Sequence, residues 1–268
     1  MVKLIHKFIL IWSKIDILKI ISRRPWSKNF YNKFGYIKKT INNPEIMKKF
    51  KNSESLPEKY GFNLDERVIE YPWVLARIPR EEKKLLDAGS ALNFKVILGL
   101  PYLKNKKIII FGLAPEKERF LRPYLFYVFG DMRSLPFENE YFDNITCIST
   151  IEHVGMDNIL YVKDQKYREN KPEDFKKVIS DLHRVLKKGG SLLLTVPFGR
   201  YQNHRWFQQF DSVLVEEVVK VFSPERYQIN YYKYSDNGWN ISNENASRDI
   251  EYLTGISAGA VACLELVK

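Results

Sequence analysis

The hydrophobic positions change rhythm twice along the chain. In residues 2–21 they follow a helical period. At 100° per residue Leu4, Ile5, Phe8, Ile9, Ile11, Trp12 and Ile15 fall on one half of the wheel, and Lys3, His6, Lys7, Ser13 and Lys14 fall on the other, with Leu10 the exception. Lys7, Lys14, Asp16 and Lys19 interrupt the apolar residues too often for a membrane span, and Pro25 stops the helix. No small-residue cleavage site follows, so a cleaved signal is not expected. Residues 26–60 lose the period and hold short basic clusters and turn residues. They read as a surface-lying connection with short helices.

From about residue 65 the pattern becomes short apolar runs separated by stretches of helical period. The runs are 85–88, 108–113, 125–128, 145–148 and 192–196. Helices are expected over 91–100 and 172–186. In the second, Phe175, Val178, Ile179, Leu182, Val185 and Leu186 line one face, and Gly189-Gly190 is expected to end it. A further helix over 212–222, a strand over 227–234 and a last strand over 259–267 complete the chain. Continuous apolar strands alternating with helices predict a doubly wound α/β fold: a mostly parallel sheet covered on both faces, with extra strands at one end. Ligands of such sheets sit at the carboxyl ends of the strands.

Composition narrows the class. Of 268 residues 45% are apolar and 14% aromatic, which excludes a disordered chain. Cys147 and Cys263 lie in apolar runs and read as buried, reduced thiols of a cytoplasmic protein. The formal charge of +11 is uneven: residues 1–60 hold 14 Lys+Arg against 4 Asp+Glu, and the remainder 29 against 28. A near-neutral domain over 65–268 therefore follows a basic arm over 1–64. Nucleic acid is not the expected partner, because the arm's cations alternate with aliphatics rather than aromatics. The arm is expected either to pack on its own domain or a second subunit, or to lie peripherally on the anionic inner face of a membrane through residues 2–21. The oligomeric state stays open.

Three stretches carry chemistry. The first is Asp87-Ala88-Gly89-Ser90-Ala91-Leu92-Asn93, an acid at a strand end followed by a tight turn. The second runs Gly130-Asp131-Met132-Arg133-Ser134-Leu135-Pro136-Phe137, then Phe142-Asp143, then a strand leading into Ser149-Thr150-Ile151-Glu152-His153-Val154. The third is Arg184-Val185-Leu186-Lys187-Lys188-Gly189-Gly190. In this order and spacing they resemble the class I S-adenosylmethionine-dependent methyltransferases over roughly residues 80–200. The first stretch, with Glu-His-Val-Gly-Met-Asp and His-x-Trp-Phe-x-Gln-Phe-Asp, further resembles a smaller methyltransferase-like group, some of whose members are associated with polysaccharide biosynthesis.

The resemblance implies a Rossmann-like seven-stranded sheet and S-adenosylmethionine as cofactor. It also implies roles. Asp87, Gly89 and Ser90 would receive the methionine end, Asp131 the adenine amino group with Met132 beside the ring, and Ser149 would border the transfer site. Lys187 to Gly190 would be structural. Two features depart from the pattern. Ala91 and Asn93 stand where glycine is usual, and the second strand carries no acid at its end, Glu116 following only after Pro115. These departures motivate an alternative class, a cofactor-free binding or scaffold protein of the same fold.

Transfer to a hydroxyl needs a base. Of the four histidines, His6 lies in the arm and His183 in a helix. His153 follows the fourth strand, where a structural role competes with catalysis. His204 is the preferred candidate, in the polar, aromatic loop after the fifth strand. In that loop Trp206 is expected to stack on a sugar ring or to be core, and Arg200, Gln208 and Asp211 to bond hydroxyls or phosphate, with Asp211 alternatively capping the next helix. A small-molecule or glycan acceptor is expected, and no metal site is, since no ligand cluster has recognisable spacing.

Overall fold

The computed structural model describes residues 33–268 apart from 82, 117 and 253–256. The amphipathic stretch 2–21 lies outside the described residues. No described helix is long and apolar enough to cross a membrane.

Eight strands form one sheet: β1 (Lys84–Ala88), β2 (Lys107–Gly112), β3 (Leu125–Phe129), β4 (Phe142–Ile148), β5 (Leu186–Pro197), β8 (Arg226–Ser235), β9 (Gly238–Ser242) and β10 (Ala260–Val267). Their order is β3-β2-β1-β4-β5-β10-β8-β9. The first five are parallel, in register at Leu86↔Ile109 and Leu86↔Ile145, whereas β10 runs antiparallel to both β5 and β8. The pair β6 (Gln202–Asn203) and β7 (Gln208–Gln209) stands apart. The expected doubly wound, mostly parallel sheet is therefore present, with eight strands instead of seven. The extra one, β9, folds back on β8 through a two-residue turn that places Gly238 at φ +80°.

Alternation within the strands divides the core between the two faces. Leu85, Ile108, Ile110, Leu193 and Cys263 face one side, and Leu86, Ile109, Ile145, Leu192 and Leu194 face the other. Cys147 and Cys263 are both buried and unpaired in a disulfide, and burial pushes both thiols up. After the single-turn helix α6 (Ile159–Val162), α7 (Phe175–Val185) and α8 (Ser212–Phe222) cover the second face, through Val178, Leu182, Val215 and Phe222 among others.

The first face is covered by residues N-terminal to the sheet: α1 (Lys33–Ile41), α2 (Pro44–Asn52) and α3 (Arg67–Arg77). The expected short helices over 26–60 are present from residue 33, but Ile37, Phe50, Leu56 and Tyr60 are buried in the same core as β1 and β2 rather than lying on the surface. Pro72 interrupts the hydrogen bonding of α3, since it has no N–H for the carbonyl of Val68. The Tyr60 hydroxyl supplies the missing donor at 2.8 Å. Trp239 of β9 donates its backbone N–H to the Tyr60 carbonyl and its indole N–H to that of Leu64, tying this segment to the far end of the sheet.

Two expected helix bounds change. In place of one helix over 91–100, a turn through Ser90–Asn93 leads to two single-turn helices, α4 (Lys95–Leu98) and α5 (Pro101–Lys104). Gly99 and Pro101 break the period between them. The α7 helix ends at Val185, and Gly189-Gly190 lies inside β5 rather than capping the helix. Gly190 is needed for close packing there: a Cβ would meet the Asp143 carbonyl at 2.8 Å.

Candidate active site

The sheet order reverses between β1 and β4, and a cavity of about 450 Å³ opens at the carboxyl ends of the strands there. Its floor is the turn after β1. The Asp87 carboxylate is fully buried and accepts the Leu92 N–H at 2.7 Å and the Thr146 hydroxyl at 3.2 Å. Burial pushes its pKa up to about 7, against these two bonds. Asp87 thus shapes the turn from below and does not line the cavity. Gly89 follows at φ +108°, where a Cβ would press on the Thr150 side chain at 2.1 Å. Ser90 is also left-handed, at φ +62°, and its Oγ is buried, without a partner, in the cavity wall. An unpaired buried hydroxyl at such a turn is a donor awaiting a ligand.

The second wall comes from the ends of β2 and β3. A Cβ at Gly112 would make only ordinary contacts, among them one with Glu116 Oε1 at 3.9 Å. Glu116 therefore folds back to the end of β2, where the strand itself carries no acid. Asp131 and Met132 line the same wall. Arg133 grips Asp131 at 2.6 Å and also bonds Glu169 at 2.9 Å and Asp174 at 2.6 Å. Burial alone would raise Asp131, but the Arg133 guanidinium holds its carboxyl below the usual range. Asn93 is not left-handed; its side chain links the Glu118 carbonyl to the Tyr127 hydroxyl.

The roof comes from the N-terminal helices and escaped the sequence reading. Lys33, Phe34, Arg67 and Tyr71 line the cavity. The rings of Phe34 and Phe94 lie 4.4 Å apart, and the Tyr71 hydroxyl donates to the Ala91 carbonyl at 2.6 Å. Beneath them Glu70, wholly buried on α3, receives Arg67 on Oε2 at 2.8 Å, and the hydroxyls of Ser149 and Thr195 on Oε1. Glu66 and Glu152 are buried beside it. Burial pushes their pKa values up to about 7 and about 8, and Glu152 Oε2 has no partner. The available signal was a set of charges, Glu66, Arg67 and Glu70, within one turn at the start of a helix that is otherwise uncharged up to Arg77.

His153 lines the cavity beside Thr150 and Tyr161. Its Nδ1 stands 2.8 Å from the Trp206 carbonyl, which requires the proton on Nδ1 and leaves Nε2 as the acceptor. Burial lowers its pKa to about 4, so the ring is neutral near pH 7. His204 is placed elsewhere, stacked on Phe207 at 4.4 Å and hydrogen-bonded to Gln202, outside the cavity lining. Its neighbours do not converge on the cavity either. Arg200 pairs with Glu251 at the surface, buried Gln208 donates to the Pro172 carbonyl, and Asp211 caps α8 through the Leu214 N–H. Trp206 is half-buried, its ring 5.2 Å from His153. Of the sequence-predicted residues the cavity brings together Gly89, Ser90, Asp131, Met132, Ser149 and His153. Among the described residues no cluster could hold a metal ion.

Residues 113–194 match the model of a family described as a methyltransferase domain, a stretch that runs from the end of β2 into β5. No curated protein matches the sequence. Several solved structures are similar. A 1,6-didemethyltoxoflavin-N1-methyltransferase of Burkholderia thailandensis, bound to S-adenosylhomocysteine, is 11% identical over 70% of this chain and 72% of its own, with a TM-score of 0.43. A phosphoethanolamine N-methyltransferase of Haemonchus contortus, in complex with S-adenosylmethionine, is 12% identical over 71% and 50%, with a TM-score of 0.44. The YcgJ protein of Bacillus subtilis is 15% identical over 73% and 95%, with a TM-score of 0.46. Over residues 113–194 the chain thus resembles a methyltransferase domain, and the cavity draws Asp131, Met132, Ser149 and His153 from that stretch. Its volume lies in the range of small-molecule sites, and the Gly89 turn presents an unpartnered hydroxyl.

Proposed function

We propose that the protein is an S-adenosylmethionine-dependent methyltransferase acting on a hydroxyl of a sugar or glycan. The observation that carries this reading is the convergence, in one cavity at the strand ends, of the Gly89–Ser90 turn, Asp131 and the neutral His153. The Gly89–Ser90 turn would hold the methionine end of the cosubstrate, Glu116 its ribose hydroxyls, and Asp131 and Met132 its adenine. When bound, that molecule supplies an electrophilic methyl group on a sulfonium. The protein's part is alignment, exclusion of water and proton removal. His153 takes the acceptor's proton on Nε2, since its Nδ1 proton is committed to the Trp206 carbonyl. The rings of Tyr161 and Tyr167 line the same mouth and suit the apolar faces of a sugar. Trp206 acts through His153, against which it packs.

Ala91 or Phe111 in the adenosine space would favour a cofactor-free scaffold. Phe111 is instead fully buried against Phe137, and Ala91 leaves the cavity open. The proposed acceptor extends to lipid-linked glycans, which would give the basic residues 2–21 a role at the inner membrane face.

Calorimetric titration of S-adenosylmethionine and S-adenosylhomocysteine, with Asp131→Ala as control, tests the cosubstrate. The absence of binding at millimolar ligand would end that reading. Labelled methyl transfer to sugar nucleotides and lipid-linked glycans tests the acceptor, which fails if the cosubstrate binds and no sugar becomes labelled.

A further inference from the structure

A second hollow, of about 540 Å³, lies at the β3 edge of the molecule, between the single-turn helices α4 and α5 and the connection from β2 to β3. Lys95, Lys104 and Arg122 line it, and no carboxylate does. Lys95 and Lys104 are exposed and meet no acidic partner among the described residues. Arg122 is anchored, its guanidinium donating to the Leu98 carbonyl at 2.6 Å and the Leu103 carbonyl at 3.1 Å, while its Nε is buried without a partner.

Beside these cations stand side chains that a water-facing loop has no reason to display. Leu121 is 100% exposed and Tyr124 60% exposed. Tyr124 is held at φ +62°, a costly conformation for an aromatic residue. Phe126, the next outward-facing residue of the edge strand, is also exposed and has Lys107 over its ring. Apolar tips flanked by unpaired cations are the composition of an interfacial membrane contact, in which the tips enter the headgroup boundary and the cations meet lipid phosphates.

The patch borders the active site. Phe94 lines the first cavity and Lys95, the next residue, lines the second. The described chain also begins here, with Phe34 packed on Phe94.

We propose that this edge docks on an anionic bilayer, with Leu121 and Tyr124 inserted and Lys95, Lys104 and Arg122 against lipid phosphates, so that the mouth of the active cavity faces the membrane surface. The binding step does not depend on the methyltransferase reading and is tested without activity. Each cation at such a surface contributes about fivefold to partitioning at low salt.

The test uses the full chain with vesicles of phosphatidylcholine, alone or with phosphatidylglycerol. Cys147 and Cys263 are fully buried, so Leu121→Cys can be labelled selectively with an environment-sensitive fluorophore. A blue shift with the anionic vesicles, absent with phosphatidylcholine alone and absent from a label at Val213→Cys on α8, is the expected result. Leu121→Asp with Tyr124→Asp should weaken sedimentation with anionic vesicles at least tenfold while leaving the melting temperature unchanged. A protein that binds vesicles through its arm while the label at 121 stays in water would overturn the proposal. So would undiminished binding by the double variant, or no binding at all.

Discussion

Glu70 and Ser149 stand 79 residues apart and meet beneath the active cavity, the serine hydroxyl donating to Glu70 Oε1. Ser149 directly follows β4 in a left-handed conformation, φ +39°, and its N–H is also taken, by Thr195. A strained residue persists at a strand end only when its surroundings over-determine it. Glu70→Ala would strand two hydroxyls and the Arg67 guanidinium, at a cost of about 3 kcal/mol or more. Ser149→Gly tolerates the positive φ and loses one hydrogen bond, about 1 kcal/mol. Melting temperatures should rank wild type above Ser149→Gly, with Glu70→Ala well below both. Equal losses would mean that the network is not organised around Glu70.

Ser90 offers a cleaner separation of folding from binding. Glycine suits its φ of +62°, and the hydroxyl makes no internal bond. Ser90→Gly should therefore melt at or above the wild-type temperature. It should bind S-adenosylhomocysteine about fivefold to thirtyfold more weakly, the worth of one buried hydrogen bond. Calorimetry and thermal melting on the same samples decide this.

The two candidate histidines separate by kinetics. His153→Ala should lower kcat about a hundredfold or more while leaving S-adenosylhomocysteine affinity within about threefold. His204→Ala, outside the cavity, should alter kcat little. The reverse ranking would return the base to the loop after β5.

Glu152 predicts a pH effect on stability. Its ordinary value of 4.5 rises to about 8 in the folded protein because burial disfavours the charged form. The protonated form is favoured by folding, so its contribution is complete below about pH 4.5 and is lost as the pH rises through 8. Glu152→Gln removes this loss. The variant should melt several degrees above wild type at pH 9 and no higher than wild type at pH 5. Parallel melting curves at the two pH values would show that Glu152 is ionised at little cost.

Much of the architecture is legible in the sequence. Five apolar runs became β1 to β5 because a parallel strand covered on both faces must be apolar at consecutive positions, a local requirement. The Asp87 turn, the Asp131 segment and the capping of α8 by Asp211 were equally local. The failures were local signals with two readings. Gly189-Gly190 looked like a helix cap and serves a close strand crossing, where a Cβ would strike Asp143. Residues 91–100 carried helical apolar spacing, but Asp87 binds the Leu92 N–H and holds the segment in a turn.

The active cavity divides along the same line. Its floor, Gly89 and Ser90, and its side wall, Asp131 and Met132, follow strands whose ends can be read in the sequence. Its roof, Lys33, Phe34, Arg67 and Tyr71, comes from helices that precede the sheet, and nothing in their spacing points to a strand end. The choice between His153 and His204 was equally closed to sequence, since both follow strands in polar, aromatic surroundings. Strand identity depends on neighbours one or two residues away, and periodicity records those. The company a side chain keeps in a cavity depends on chain crossings tens of residues apart, and only the packed structure brings them together.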